Sequence, residues 1–492
     1  MLRRLVHRGP DDEGSITLPG AWLGHRRLSI VDTTGGHQPL TTSDGHLYMV
    51  GNGEIYNHEE LREVLTDSEF LTGSDNEVAL QLVNQEGLEG LEQLGGMFAF
   101  VIAGADGTFI AARDPVGIKP LYWAQRDGQT VFASEIKAFD LDWQSDVEQF
   151  PSGYYWTPES GLIQFAQSVT VREPDPFPLQ EPGDSQVPVA LIDDLRATLV
   201  DSIERHMMGD VPVGVFLSGG LDSSIVAAVA GRYASERGES LHTFAVGSVD
   251  SPDLEFARLM ADRIGSIHHE RVFTAADAAE VLPEVIGMVE SFDSALVRSC
   301  VPNYFLAEMA GRTVKVVLTG EGADELFAGY EYQRAFDNAA DLHAELIRGV
   351  ESLHGLNLQR CDRMTMAHGV EARVPFLDGK VIDFSLAIPP EWKLPKPGRP
   401  EKWLLRKAFE GLVPDEVLWR EKATFDEGSG AADALRGESD VDSEMAWNNE
   451  FEQASEGVPN LRSEEEAEYY RIFCEYFGDV SADRTISRFA TA

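Results

Sequence analysis

A chain of 492 residues is too long for one ordinary hydrophobic core, so two or more domains are expected. Hydrophobic residues make up 43%, which suits a globular protein; no apolar run is long enough to span a bilayer and no signal-peptide pattern opens the chain, which points to the cytoplasm. With 83 acids against 40 bases the formal charge is −43, and this excludes the basic footprint that nucleic-acid binding needs. The acids are interspersed among apolar residues rather than run together, and arginine far exceeds lysine, so the composition reads as a solvated halophile surface, not as disorder. Cys300, Cys361 and Cys474 lie far apart without a CxxC pair, which indicates buried free thiols and neither a disulfide framework nor a zinc site.

From Met1 to about Thr170, short alternating runs lie between glycine-rich turns: Trp22 to His25, His46 to Val50, Phe98 to Ile102 and Thr130 to Ala133. Alternation of this kind predicts antiparallel strands, and helical periodicity at Glu59 to Leu65 and Glu77 to Gln85 adds flanking helices. Five polar clusters punctuate the segment: His7-Arg8-Gly9-Pro10-Asp11, Arg27 to Asp32, Asn52-Gly53-Glu54-Ile55-Tyr56-Asn57, Thr72-Gly73-Ser74-Asp75 and Gly95 to Phe100. Any one of them reads as a polar loop; five in this order resemble the glutaminase domain of class II amidotransferases, the N-terminal nucleophile fold of αββα type. The resemblance implies that Arg27, Glu54 and Asp75 bind the glutamine α-carboxylate and α-amine and that Asn52 and Gly53 supply an oxyanion hole. The chemistry suits an amide substrate, since arginine pairs bidentately with a carboxylate and an amide N–H stabilises a tetrahedral oxyanion. The family's nucleophile is a cysteine whose own α-amine serves as base. This sequence begins Met1-Leu2-Arg3, and a Cys-Gly-Ile strand is expected upstream of the cluster at His7.

From Arg172 to Val187, four prolines forbid a helix or a central strand, so a linker at 171–188 separates residues 1–170 from residues 189–492. Helix resumes at Val189 to His206, and strand and helix then alternate: a buried strand at Val211 to Leu217, a helix from Ile225, a strand at Leu241 to Val246, a helix at Asp253 to Ile264 and a strand at Val314 to Leu318. This alternation predicts a doubly wound parallel sheet with ligands at the C-terminal strand ends.

The motifs fall at those ends. After the first strand comes Ser218-Gly219-Gly220-Leu221-Asp222-Ser223-Ser224, where two glycines admit an anion to the backbone, hydroxyls surround it and a helix N-terminus follows. No lysine follows the glycines, so this is not the loop of kinases and GTPases, and Asp222 stands where a Mg²⁺ ligand is useful. The loop resembles that of the ATP pyrophosphatases, which cleave between the α and β phosphates. Phe244-Ala245-Val246-Gly247 ends the next strand and offers backbone groups to adenine, while Thr319-Gly320-Glu321-Gly322-Ala323-Asp324-Glu325 ends another. Together with Ser251-Pro252-Asp253, the run Val370 to Asp378 and the glutaminase clusters, these motifs resemble the glutamine-dependent asparagine synthetase family over nearly the whole chain.

That resemblance implies, residue by residue, a pyrophosphate site at Ser218, Gly219, Gly220, Asp222, Ser223, Val246, Gly247, Thr319 and Gly320, and a Mg²⁺ ion on Asp222 and Asp324. It makes Glu321 the base toward ammonia, Lys422 the cation that neutralises departing phosphate, and Arg298 a contact to aspartate or ATP. Ala295 and Leu296 stand where some members have a threonine pair, which leaves the aspartate contacts open. The implied partners are aspartate, ATP and glutamine or ammonia; homodimers are common in that family, and the residues do not fix the oligomeric state. An alternative stays open: a related adenylating amide or lactam synthetase that uses ammonia or an internal amine. The retained Arg27, Asn52, Glu54 and Asp75 weigh against it.

Overall fold

The computed structural model describes residues 1–174, 187–249, 251–395, 399–420 and 459–489. Residues 175–186 of the expected linker, and Lys422, lie outside them.

The first half contributes β1 (Asp12–Leu18), β2 (Ala21–Arg27), β3 (Leu40–Thr41), β4 (Leu47–Ile55), β5 (Gly96–Gly104), β6 (Phe109–Arg113), β7 (Tyr122–Arg126), β8 (Gln129–Ala133), β9 (Glu148–Gln149), β10 (Tyr154–Thr157) and β11 (Gly161–Gln164), with helices α1 (His58–Val64) and α2 (Glu77–Glu86). Six of the strands form an antiparallel sheet in the order β11-β10-β6-β5-β4-β3; β8-β7-β9 form a second sheet and β1-β2 a hairpin. The two-residue period of β5 explains the layering. Phe98, Phe100 and Ile102 point to one face and pack with Val78, Leu82 and Leu61 of the helices, whereas Ala99, Val101 and Ala103 point to the other and meet Leu23 of β2 and Leu121 and Phe150, which flank β7 and β9. Glycine is required at Gly53, where φ is +129° and a Cβ would lie 1.9 Å from the Met97 carbonyl oxygen of the paired strand. The outer face of the small sheet, with Tyr122 and Ala124, packs into the core of the second half.

In the second half, α3 (Val189–His206), β12 (Val213–Phe216), α4 (Leu221–Glu236), β13 (His242–Gly247), α5 (Pro252–Ile264), β14 (Ile267–Val272), α6 (Ala275–Val289), α7 (Ser294–Ala310), β15 (Val316–Leu318), α8 (Ala323–Phe327), α9 (Ala339–Ser352), α10 (Asn357–Met366) and β16 (Glu371–Arg373) alternate as expected. They are followed by α11 (Gly379–Ala387), α12 (Trp403–Ala408), α13 (Asp415–Leu418) and, after residue 458, α14 (Glu464–Phe477). The five strands are all parallel, in the order β14-β13-β12-β15-β16. The chain leaves β12 in one direction and returns to its other side through β15, so the end of β12 is a topological switch point, where such sheets open a crevice. The fold is therefore an αββα-type N-terminal nucleophile half joined to a doubly wound parallel-sheet half.

Charges, not only apolar side chains, join the halves. Across the halves, Arg8 lies 2.7 Å from Asp362, Lys119 3.1 Å from Glu371 and Arg373 3.2 Å from Glu54; within the halves the same network continues from Arg8 to Glu135 at 2.8 Å, from Arg373 to Glu371 at 2.9 Å and from Arg363 to Glu290 at 3.1 Å. All of these side chains are buried, so each charge is tolerated only because an opposite one faces it. Asp11 likewise accepts from the Ser29 N–H and pairs with Lys315. The cluster from His7 to Asp11 thus braces the two halves together.

Candidate active site

Two cavities lie at opposite ends of α10. Asn357, Arg360 and Cys361 from its first turns line the larger, of about 330 Å³, and Met366 at its far end lines the smaller, of about 110 Å³.

The larger cavity opens at the switch point, because β12 stops at Phe216 and the backbone turns through Gly219 at φ +72°. A Cβ on Gly219 would lie 2.5 Å from that of Phe256 and 2.6 Å from the Ala257 nitrogen, so no other residue lets the turn pack on α5. Ser223 Oγ lies 3.1 Å from Ser218 Oγ and accepts from the Ser218 N–H, which holds the loop closed onto the start of α4. Ser218, Gly220, Asp222 and Ser223 line the cavity, together with Phe244, Ala245 and Val246 from β13 and Thr319, Gly320, Glu321 and Asp324 from the end of β15. The structure brings these expected residues to one place. Gly219 and Gly247 support the walls without lining them, and Ser224, fully buried, turns away. Arg298 does not line the cavity; its guanidinium pairs with Glu465 on α14. Instead α7 presents Ala295, Ser299 and Asn303, one residue per turn. Leu296 is fully buried.

Several lining residues escaped the motif reading. Arg360 pairs with Glu321 and so fixes the expected base. Arg420 lies 2.7 Å from Asp253 and 3.4 Å from the Gly219 carbonyl oxygen. Lys402 Nζ pairs with Asp222 and, at 2.6 Å, with Asp324. Burial favours loss of its proton, but the two carboxylates more than offset this and hold the ammonium above its ordinary range. Tyr330, in the lining, donates its hydroxyl to Glu325 behind it, whose carboxyl is raised to about 7 by burial and by Asp324. Arg360, Lys402 and Arg420 lie 39, 180 and 201 residues from these partners, and only a spaced motif around Lys402, such as Glu401-Lys402 before a helix, could have drawn attention to it.

Arg27, Asn52, Gly53, Glu54 and Asp75 all line the smaller cavity. Among the described residues, Arg27 Nη1, Asn52 Nδ2 and Glu54 Oε2 are buried there without a protein hydrogen-bond partner. Unpaired buried polar atoms are costly, and a cluster of two donors and an acceptor around one cavity matches a zwitterionic amino acid. Arg27 is aimed by donating Nη2 to the carbonyl oxygens of Val31 (3.0 Å) and Asp32 (2.7 Å). Asp75 accepts from the Ile55 N–H at 2.7 Å. Burial raises the carboxyls of both Asp75 and Glu54, and Asp75 adds to the rise at Glu54.

A polar cavity on a nucleophile-type sandwich and a glycine-serine loop at the switch point of a parallel sheet suit an amidotransferase coupled to a nucleotide-dependent ligase. Family models agree with that division: the glutamine amidotransferase domain matches residues 1–159 and asparagine synthase matches residues 194–340 and 333–440. Glutamine-hydrolyzing asparagine synthetase 3 of Arabidopsis thaliana is 41% identical over 508 residues, covering 98% of this chain and 85% of its own. Glutamine-hydrolyzing asparagine synthetase B of Escherichia coli (strain K12) is 38% identical over 495 residues, covering 97% and 87%. The chain belongs to the glutamine-hydrolysing asparagine synthetase family.

Proposed function

We propose that this chain makes asparagine from aspartate and ATP, taking nitrogen from glutamine or ammonia and releasing AMP and pyrophosphate. The observation that carries the reading is the convergence of the Ser218–Ser224 loop, Glu321, Asp324 and Lys402 on one cavity beside the nucleotide-facing end of β13. Residues 1–170 form the glutaminase half, 171–188 the linker and 189–492 the synthetase half. Arg27 and Glu54 hold the glutamine carboxylate and amine, Asp75 assists Glu54, and Asn52 with the Gly53 N–H receives the oxyanion. In the synthetase half, loop N–H groups and the hydroxyls of Ser218 and Ser223 cradle the pyrophosphate, while Gly219 and Gly247 shape the walls around phosphates and adenine. The aspartate β-carboxylate displaces pyrophosphate from the α-phosphorus to give β-aspartyl-AMP. Ammonia then attacks the acyl carbon, Glu321 takes a proton from the attacking nitrogen, and AMP leaves. Lys402, and Lys422 from outside the described residues, supply positive charge toward the phosphates.

Asp222 and Asp324 are hard oxygen donors near enough to share one cation, as their common contact with Lys402 shows, and this fits Mg²⁺, which takes one or two carboxylates, phosphates and water. Among the described residues no larger cluster of ligating side chains exists. Bound there, Mg²⁺ would supply charge stabilisation to the phosphates. No helix among the described residues is long and apolar enough to cross a membrane, and the free thiols of Cys300, Cys361 and Cys474 accord with a reducing cytoplasm.

The test separates the two half-reactions. Glu321→Gln should still form β-aspartyl-AMP in a single turnover but lower asparagine formation from ammonia by about a hundredfold or more, the scale of a positioned base. Asp222→Asn should abolish both steps. Full ammonia-dependent activity in Asp222→Asn, or adenylation of a carboxylate other than aspartate in preference to it, would overturn the reading.

A further inference from the structure

Lys402 lies just before α12 with φ at +55°, a left-handed conformation that a lysine adopts only when its surroundings impose it. The surroundings are specific. Arg406 donates to the Glu401 carbonyl oxygen at 2.9 Å and to the Glu401 carboxylate at 2.5 Å, and Arg334 pairs with the same carboxylate at 3.2 Å, so the peptide before Lys402 is clamped. The buried lysine stem then passes Gly329, where a Cβ would lie 2.2 Å from Lys402 Cε and 1.8 Å from Asp324 Oδ1. Backbone, clamp and glycine together deliver one ammonium into the wedge between Asp222 and Asp324.

We infer that Lys402 occupies the metal position of the cleft and yields it when nucleotide arrives, so that metal binding at Asp222 and Asp324 is coupled to nucleotide binding. The inference rests on the reading of those two aspartates as metal ligands. Mg²⁺ and Mn²⁺ need carboxylate oxygens at close to 2 Å, and an ammonium at hydrogen-bond distance from the same two carboxylates fills that space and repels a divalent ion. The phosphates of ATP offer the ammonium another anionic partner within the same cavity. Lys402 then moves from carboxylate to phosphate, and the wedge opens to the metal. By linkage, nucleotide must tighten metal binding by the same factor by which metal tightens nucleotide. Lys402 is thus a positioning residue for the carboxylates and a phosphate contact in turn.

Free Mn²⁺, read by its electron paramagnetic resonance signal in molar KCl to suppress binding to surface acids, tests this with the whole 492-residue protein. Wild type should take up Mn²⁺ at this site at least about tenfold more tightly with an α,β-methylene ATP analogue than without it, a factor at the scale of ordinary site-to-site coupling. Lys402→Met should gain about tenfold in Mn²⁺ affinity without nucleotide, and Lys402→Arg, which keeps a cation, should not; circular dichroism establishes that each is folded. If Lys402→Met does not fold, the folded Lys402→Gln takes its place, and equal wild-type affinities with and without the analogue would by themselves overturn the inference. The paired substitution Asp222→Asn with Asp324→Asn should remove the analogue-dependent site. Should that site survive, the metal reading fails and the inference falls with it. Should it vanish while folded Lys402→Met binds Mn²⁺ no more tightly than wild type, the role of Lys402 alone is wrong.

Discussion

Arg373 offers the sharpest test of how the two halves are held. It is fully buried at the end of β16 and faces Glu54 of β4 at 3.2 Å and Glu371 at 2.9 Å, and it donates to the His206 carbonyl oxygen at 2.8 Å. Arg373→Met would leave Glu371 its contact with Lys119 at 3.1 Å but strip Glu54 of its ion-pair partner. Breaking a buried pair by removing one member costs about 3–5 kcal/mol. With an unfolding entropy of about 2.1 cal/mol/K per residue, a chain of 492 residues unfolding as one unit should lose about 3–5 °C in Tm, and more if the first half unfolds alone. The loss should depend on pH in a defined direction. Burial first, and Asp75 second, already push the Glu54 carboxyl well above the ordinary range while Arg373 opposes them. Without Arg373 the folded state binds that proton still more tightly than the unfolded chain, whose glutamates titrate near about 4.3. The unfolded-state affinity is common to both proteins and cancels, so the deficit against wild type is absent below the raised range in which wild-type Glu54 ionises and grows as pH rises through it; the deficit should be smaller at pH 5.5 than at pH 8. Adding Glu54→Gln to Arg373→Met should restore most of the stability, because no uncompensated buried carboxylate remains. Calorimetric scans at the two pH values read all of this. A Tm loss below about 1 °C, or no recovery in the double variant, would refute the reasoning.

Three further outcomes are expected. A surface carrying −43 should make the protein less stable in dilute buffer and more stable in salt, because the Debye length falls from about 10 Å at 0.1 M to about 3 Å at 1 M; an unchanged Tm between dilute and molar KCl would defeat the halophile reading. No cysteine lines the smaller cavity among the described residues, Cys300 and Cys361 are buried in the synthetase half with burial raising both thiols, and none of the three supplies an N-terminal amine as base. Alanine in place of Cys300, Cys361 or Cys474 should therefore leave the ratio of glutamine-dependent to ammonia-dependent synthesis unchanged; selective loss of glutamine use in any one of the three variants would show that it is the nucleophile. Gly53→Ala should abolish glutamine binding while sparing ammonia-dependent synthesis, since its Cβ has no room beside Met97; unchanged glutamine affinity would contradict the close strand approach.

Local sequence determined a great deal of this protein. The short apolar run at Phe98 to Ile102 marks a strand buried on both faces and 3.6-residue periodicity at Val189 to His206 marks a helix with one apolar face, and the structure keeps both elements where the pattern places them. The phosphate loop and the Asn52–Glu54 cluster were legible because each packs its chemistry into a few adjacent residues whose backbone conformation needs glycine at Gly219 and Gly53. Long-range electrostatics was decided only in three dimensions. Little that is local distinguishes Arg360, Lys402 or Arg373 from a solvated surface base, and each is buried and paired only because folding sets it opposite carboxylates 39, 180 or 319 residues away. The same physics moves Arg298 out of the cavity: its position in the chain suits a substrate contact, but the helix α14, from far along the chain, brings Glu465 close enough to claim its charge. Apolar pattern is read off one element at a time, whereas a buried charge is defined by its partner, and the partner's location is a property of the tertiary structure alone.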